Sequence, residues 1–262
     1  MPTPGPATIR CGGNTPCVEV RCGSQIIVLD AGTGIRELGL MLEQEGVTRM
    51  DLLLSHFHMD HLQGFPFFTP SYHSGTRIDV HLVSLGAGRP LSEPFDKLME
   101  APHFPVPFQD LAADIRFHEV NGCSQIGDVT VRSHPVNHPG GCTAFRLEYR
   151  GTTMVYLTDH EPYAGAEDQP VLEFTRGADL LIREAQYTRE EYAQKHGWGH
   201  SSFDAAVSDA IEASVGSLAL YHHEPQHDDL FLDRELEELK SRYGSSALEI
   251  FLAREGECIE LA

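Results

Sequence analysis

Apolar residues recur along this chain in short bursts separated by Gly, Asp, Asn and Pro, and most bursts are too short for helices. Early in the chain, Cys17–Arg21 and Gln25–Leu29 read as strands joined by a turn at Cys22-Gly23-Ser24. Ile35–Glu45 has apolar positions at helical spacing. Met50-Asp51-Leu52-Leu53-Leu54 and Asp79–Val83 read as further strands. Strands then recur at Ile115–Val120, Val129–Pro135, Thr143–Tyr149, Thr153–Thr158, Leu180–Glu184 and Leu218–His222. Glu249–Leu252 and Cys258–Glu260 read as closing strands. Helices are predicted over Pro170–Arg176, over Ser202–Ala213 with Ser201 or Ser202 as N-cap, and over Asp228–Tyr243. Strand-rich halves that each finish with helices predict an α/β chain, two sheets packed face to face with helices outside.

One segment departs from this pattern. Residues 86–113 interleave Gly, Pro and aromatics, as in Ala101-Pro-His-Phe-Pro-Val-Pro-Phe. A long irregular stretch inside a compact domain is expected to be an active-site lid, a dimer-contact loop, or a surface excursion packed on its own aromatics. No repeat or linker interrupts the chain, so residues 1–262 are expected to form one domain.

The chemistry lies where the apolar bursts end. After Leu54 the chain reads Ser55-His-Phe-His-Met-Asp-His61. Alternate residues of an extended chain point the same way, so His56 and His58 can grip one cation. Asp60 and His61, past the turn, can grip a second. Three later strands end similarly. Val131-Arg-Ser-His-Pro-Val-Asn-His offers His138 or His134, Met154-Val-Tyr-Leu-Thr-Asp offers Asp159, and Leu218-Ala-Leu-Tyr-His-His offers His222 or His223. Together these complete two coordination spheres: His56, His58 and His138 on one ion, Asp60, His61 and His222 on the other, with Asp159 bridging. Nitrogen and oxygen donors without thiolates suit Zn2+, with Mn2+ or Fe as alternatives. Two ions about 3.5–4 Å apart share a water and lower its pKa toward neutral. Asp60 can also hold that water's proton.

A further pair bears on which bond breaks. His200, in Gly197-Trp-Gly-His-Ser-Ser, precedes a predicted helix, and Glu184 ends a predicted strand. A carboxylate hydrogen-bonded to an imidazole fixes its tautomer and raises its basicity. His200 then serves to stabilise a transition state or protonate a leaving alkoxide.

Composition narrows the partners. The formal charge is −20 with 15 histidines taken as neutral, and no Lys/Arg cluster offsets it. Such a surface repels long polyanions, whereas a small anion remains compatible close to two dications. No apolar stretch approaches the roughly 20 residues that span a bilayer, and no signal peptide is visible. A cytoplasmic, membrane-free protein with free thiols at Cys11, Cys17, Cys22, Cys123, Cys142 and Cys258 is expected. A structural metal site at Cys11, Cys17 and Cys22 is the lesser alternative.

The ordered set His56-x-His58-x-Asp60-His61, His138, Asp159 and His222 resembles the metallo-β-lactamase superfamily along nearly the whole chain. The resemblance implies an αββα sandwich of two mixed sheets with the metals at one edge. An Asp at position 159, where true lactamases commonly carry Cys, is similar to the dinuclear hydrolase branches. Gly199-His200-Ser201-Ser202 and Arg183-Glu184-Ala185-Gln186 are similar to the His-Ser-Thr and His-Glu-Ala-Thr motifs of ribonuclease Z-like phosphodiesterases, with Arg183 in place of the His. Gly12-Gly13-Asn14-Thr15, Asp30-Ala-Gly-Thr-Gly34 and Phe104-Pro-Val-Pro107 look like a bacterial subgroup related to cyclic-nucleotide phosphodiesterases. Two departures stand out. The interval from His138 to Asp159 has no room for a tRNA-grasping arm, and the strand that usually precedes the region of Pro4-Gly5-Pro6 is expected to be missing through a truncated start, leaving one sheet edge undefined.

The resemblance therefore implies a dinuclear metal-dependent hydrolase that cleaves a small anionic phosphodiester such as a cyclic nucleotide, with Asp60, His200 and Glu184 as catalytic residues. A homodimer is expected by analogy. The alternatives are a thioester or lactone hydrolase of the same superfamily, a tRNA 3′ endonuclease, and a non-catalytic nucleotide sensor.

Overall fold

The computed structural model describes residues 1–86, 88–163, 168–244 and 246–261. Contacts divide the chain into two compact units, one comprising Met1 and Asn14–Asp128, the other Pro2–Gly13 and Val129–Ala262.

In the first unit, strands β1 (Val18–Cys22) and β2 (Gln25–Leu29) form an antiparallel hairpin. Helix α1 (Ile35–Gln44) leads to β3 (Arg49–Leu53), and the short α2 (Met59–Leu62) follows. Strand β4 (Arg77–Leu82), helix α3 (Glu93–Leu98) and strands β5 (Asp114–Glu119) and β6 (Cys123–Ile126) complete it. Strands β2 to β5 run parallel, giving a mixed sheet in the order β1-β2-β3-β4-β5. Ile35, Leu38 and Leu42 of α1 share one core with Ile26, Val28, Met50, Leu52, Ile78 and Val80 of the strands. Strand residues of alternate parity thus face the helix, as the period of two requires.

Segment 86–113 is anchored to this core, with Ala87 outside the described residues. Phe95 and Met99 are fully buried, Phe95 packs edge-on against Phe65 at 4.6 Å, and Phe104, Phe108 and Leu111 lie against the same cluster.

In the second unit, β7 (Val129–Val136), β8 (Cys142–Tyr149) and β9 (Thr152–Leu157) form an antiparallel meander. Helix α4 (Gln169–Thr175), strand β10 (Leu180–Glu184), the single-turn α5 (Arg189–Tyr192) and α6 (Phe203–Glu212) follow. Strand β11 (Ser217–Tyr221), helix α7 (Asp229–Tyr243) and strand β12 (Glu249–Leu252) close the unit. Strands β9 to β12 are parallel, in the order β12-β11-β10-β9-β8-β7. Strand β10 is central and buried along its whole length, so it reads as a continuous apolar run until Arg183 and Glu184. Phe203, Ala206, Val207 and Ala210 of α6 pack with Val155, Leu157, Leu181 and Leu218. Ser202 caps α6 by accepting from the Ala205 amide at 3.2 Å, and Asp228 caps α7 by accepting from Phe231 at 2.7 Å. Asp229 accepts from the Arg10 and Cys11 amides, which ties the N-terminal segment to this unit.

Two mixed sheets with flanking helices match the predicted α/β class. Cys258–Glu260 does not: it is irregular and exposed, following a turn at Gly256, and three alternating positions were too weak a basis for a strand. The polar β6 and the one-turn helices carry too little periodicity to be read in advance. Among the described residues no helix is long and apolar enough to cross a membrane, and the six cysteines are free thiols.

Asp79 on β4 accepts two bonds from Arg77 and one from His118, each 2.8 Å long. Burial raises its pKa, but these bonds outweigh burial and bring the carboxyl down from 3.8 to about 2. A depressed folded pKa stabilises above the unfolded value, and the effect is lost as pH falls through the folded one. Asp79→Asn should therefore lower the urea midpoint at pH 7, with the difference from the parent shrinking between about pH 4 and pH 2. An equal difference at both ends of that range would refute the ion-pair origin.

Candidate metal centre

In the first unit the ligands follow β3. His58 is extended and caps the one-turn α2, which carries Asp60 and His61. The His56 ring lies 4.6 Å from that of His58 and 4.2 Å from that of His61. His61 Nε2 stands 3.8 Å from Asp60 Oδ2. All four residues of the histidine motif are thus gathered at one strand end, with His56 and His61 buried and His58 exposed.

Asp30 underlies this group. It is fully buried, sits just past β2 at φ +63°, and accepts from the Ser55 amide at 2.7 Å and the Ser55 hydroxyl at 2.8 Å. Its Oδ2 also lies 2.8 Å from His61 Nδ1. A carboxylate on Nδ1 fixes the tautomer and leaves Nε2 as the metal-binding nitrogen.

In the second unit the C-terminal ends of parallel β9, β10 and β11 lie side by side and present Asp159, Glu184 and His222. Asp159 and His222 take left-handed backbone angles, φ +38° and +53°. Such angles cost a non-glycine residue about 1–3 kcal/mol and cluster at functional sites. His138 Nε2 is 3.6 Å from Asp159 Oδ2, and His222 Nε2 is 3.4 Å from Asp159 Oδ1. One carboxylate thus faces a different imidazole with each oxygen, as a bridging ligand would. His138 Nδ1 lies 2.7 Å from the Gly199 carbonyl, to which it donates, again leaving Nε2 as donor to a metal. The rivals are engaged elsewhere: His134 stacks on Phe174 at 5.3 Å, and His223 stacks on Phe203 at 5.8 Å, with burial pushing its pKa down to about 4.

His200 joins this group. Asp159, His200 and His222 each offer a donor atom within 4.8 Å of the others, and the His200 ring stacks on His222 at 5.3 Å. Glu184 lies beneath, fully buried, and burial pushes its pKa up to about 8 against the pull of Arg183. The predicted Glu184–His200 hydrogen bond is not formed in this geometry. His200 Nδ1 is 3.9 Å from Glu184 Oε2, beyond hydrogen-bond reach, because the carboxylate accepts instead from the Ser201 amide at 2.5 Å and the Gln186 amide at 3.2 Å. Arg183, also fully buried, pairs with Asp209 of α6 at 2.7 Å.

The donors fit a divalent cation: the Nε2 atoms of His61 and His138, whose Nδ1 atoms are tied, each face a carboxylate oxygen, of Asp60 and of Asp159. Three contributors escaped sequence reasoning. Asp30 had a signal, its place at a strand end before Ala-Gly-Thr-Gly. Gly199 and Glu161, whose buried carboxylate accepts from the Gly197 and Gly199 amides, had none, since their importance lies in backbone bonds. A Cβ at Gly199 would come within 2.3 Å of His138 Nδ1.

Residues 25–223 match the model of the beta-lactamase superfamily domain. The chain belongs to the metallo-β-lactamase superfamily and is a metal-dependent hydrolase. It is similar to the ribonuclease Z of Mycobacterium avium, 26% identical over 85% of this chain and 83% of that one. The metallo-β-lactamase fold protein YhfI from Bacillus subtilis superposes with a TM-score of 0.70 over 96% of both chains at 20% identity. The short form of human tRNase Z gives 0.68 over 100% of this chain and 97% of that one at 18% identity. These likenesses show the fold.

Asp30→Asn keeps the shape and tolerates the left-handed angle but removes the charge behind His61. Its metal affinity should fall roughly 10- to 100-fold, as read by competition with a chromogenic chelator. Unchanged affinity would exclude this role for Asp30.

Proposed function

We propose that the protein is a dinuclear phosphodiesterase that cleaves a small phosphodiester such as a cyclic nucleotide. His56, His58 and His138 would hold one divalent ion and Asp60, His61 and His222 another, with Asp159 offering a carboxylate oxygen to each set; Zn2+ suits these donors best. The observation that carries the reading is His200: a largely buried imidazole, its side chain 14% exposed, stacked on His222 and within 4.8 Å of Asp159, yet assigned to neither ion.

When bound, the ions supply a water of lowered pKa and offset charge developing on phosphoryl oxygens. Asp60 takes up the water's proton. His200 stabilises the transition state or gives a proton to the leaving oxygen. Glu184 positions His200 through the Ser201 amide, the peptide that follows it. A thioester or lactone hydrolase would need the ions but not this imidazole.

The interval between His138 and Asp159 supports a small substrate. It is filled by the β8–β9 hairpin, whose partners run without interruption from Phe145↔Tyr156 to Tyr149↔Thr152, and no appendage leaves it. The net charge of −20 also disfavours a long polyanion. A second reading, cleavage of RNA, is favoured by the ribonuclease Z relatives.

A panel of 2′,3′-cyclic AMP, 3′,5′-cyclic AMP, short RNA, thioester and lactone, assayed with metal content on the same sample, separates these readings. His200→Ala should keep its metal and lose roughly 100- to 10,000-fold in phosphodiester turnover. Normal rates in that variant would sink the assigned role, and turnover of thioester or lactone alone would sink the phosphodiesterase.

A further inference from the structure

The single tryptophan of the chain, Trp198, is 62% exposed, two residues before His200. An indole so open to water normally sits on an undemanding surface, where its backbone is free. Here the backbone is held from several sides. Gly197 and Gly199, which flank it, both take left-handed angles, φ +83° and +87°. Both their amides donate to one buried carboxylate, Glu161: Gly197 to Oε1 at 2.8 Å and Oε2 at 3.0 Å, Gly199 to Oε2 at 2.8 Å. Glu161 also meets His196 at 3.2 Å and the Tyr192 hydroxyl at 3.4 Å. The Trp198 amide donates to the Lys195 carbonyl at 3.2 Å, and the Gly199 carbonyl takes the bond from His138. The Lys195 ammonium, paired with Glu224, lies over the Tyr187 ring at 4.2 Å and 6.0 Å from the centre of the indole.

A turn tied both to a ligand imidazole and to a buried acid holds the indole in place without burying it. Rigidity is useful for an exposed ring only when something must land on it in a fixed position. The neighbouring cation favours a landing group that is aromatic and carries negative charge. Resting on the phosphodiesterase reading, we infer that Trp198 is the stacking platform for the planar ring of the substrate, a nucleobase, and sets the preference for base-bearing over base-free phosphodiesters. Glu161 acts only through the turn, as a positioning residue.

The test compares metal-loaded parent and Trp198→Ala proteins on the fastest base-bearing diester of the panel above and on glycerol 1,2-cyclic phosphate, which has no base. Stacking predicts a loss of roughly 5- to 100-fold in kcat/KM on the base-bearing diester, mainly through KM, and a far smaller loss on the base-free one. Trp198→Phe should recover most of it. Since Trp198 is the only tryptophan, its emission reports on the ring directly. Adenosine 5′-monophosphate titrated into metal-loaded His200→Ala protein should quench it, and inorganic phosphate should not. Equal losses on both diesters, or equal quenching by phosphate, overturn the platform while the phosphodiesterase stands. Dissociation of an oligomer by Trp198→Ala, with both diesters affected alike, shows a self-association contact and also overturns it. Turnover of neither diester by the parent overturns the phosphodiesterase reading and the platform with it.

Discussion

An imidazole can give a cation only one nitrogen, so the other must be tied down before the ion arrives. Much of the architecture around the site follows from this requirement. His61 meets it through Asp30, and His138 through the carbonyl of Gly199. Each anchor brings its own demands. Asp30 needs a buried, left-handed position and the Ser55 donors to satisfy its remaining lone pairs. Gly199 needs the absence of a side chain, because any Cβ would strike the imidazole it holds.

Strand direction then decides which residues can meet. Parallel β9, β10 and β11 end at one edge, so Asp159, Glu184 and His222 become neighbours although each is far from the next in sequence. At that edge the chain leaves the sheet sharply, and Asp159 and His222 adopt angles usually reserved for glycine. Sheet pairing and core packing hold these angles in place, and they aim the side chains at one another rather than along the strands.

The sequence disclosed what is local. The histidine motif at 56–61 is complete within one strand end, and the apolar bursts located most strands to within a residue or two. The ring contacts of the rivals, His134 on Phe174 and His223 on Phe203, are tertiary facts that no local pattern discloses. The supporting groups were hidden because their partners are remote: 31 positions separate Asp30 from His61, 38 separate Glu161 from Gly199, and 61 separate His138 from Gly199. The Glu184–His200 pair was read correctly as neighbours but not as bonded, since a backbone amide outcompetes a side chain when the carboxylate lies directly under it.

The hairpin joining His138 to Asp159 fixes the spacing of those two residues by ladder register rather than by loop length. Its far end is the two-residue turn Arg150-Gly151, both residues at positive φ. Residues inserted there would extend the ribbon outward while every pair from Phe145↔Tyr156 to Tyr149↔Thr152 kept its partner. That turn is a growth point, where the ribbon can lengthen without moving His138 or Asp159.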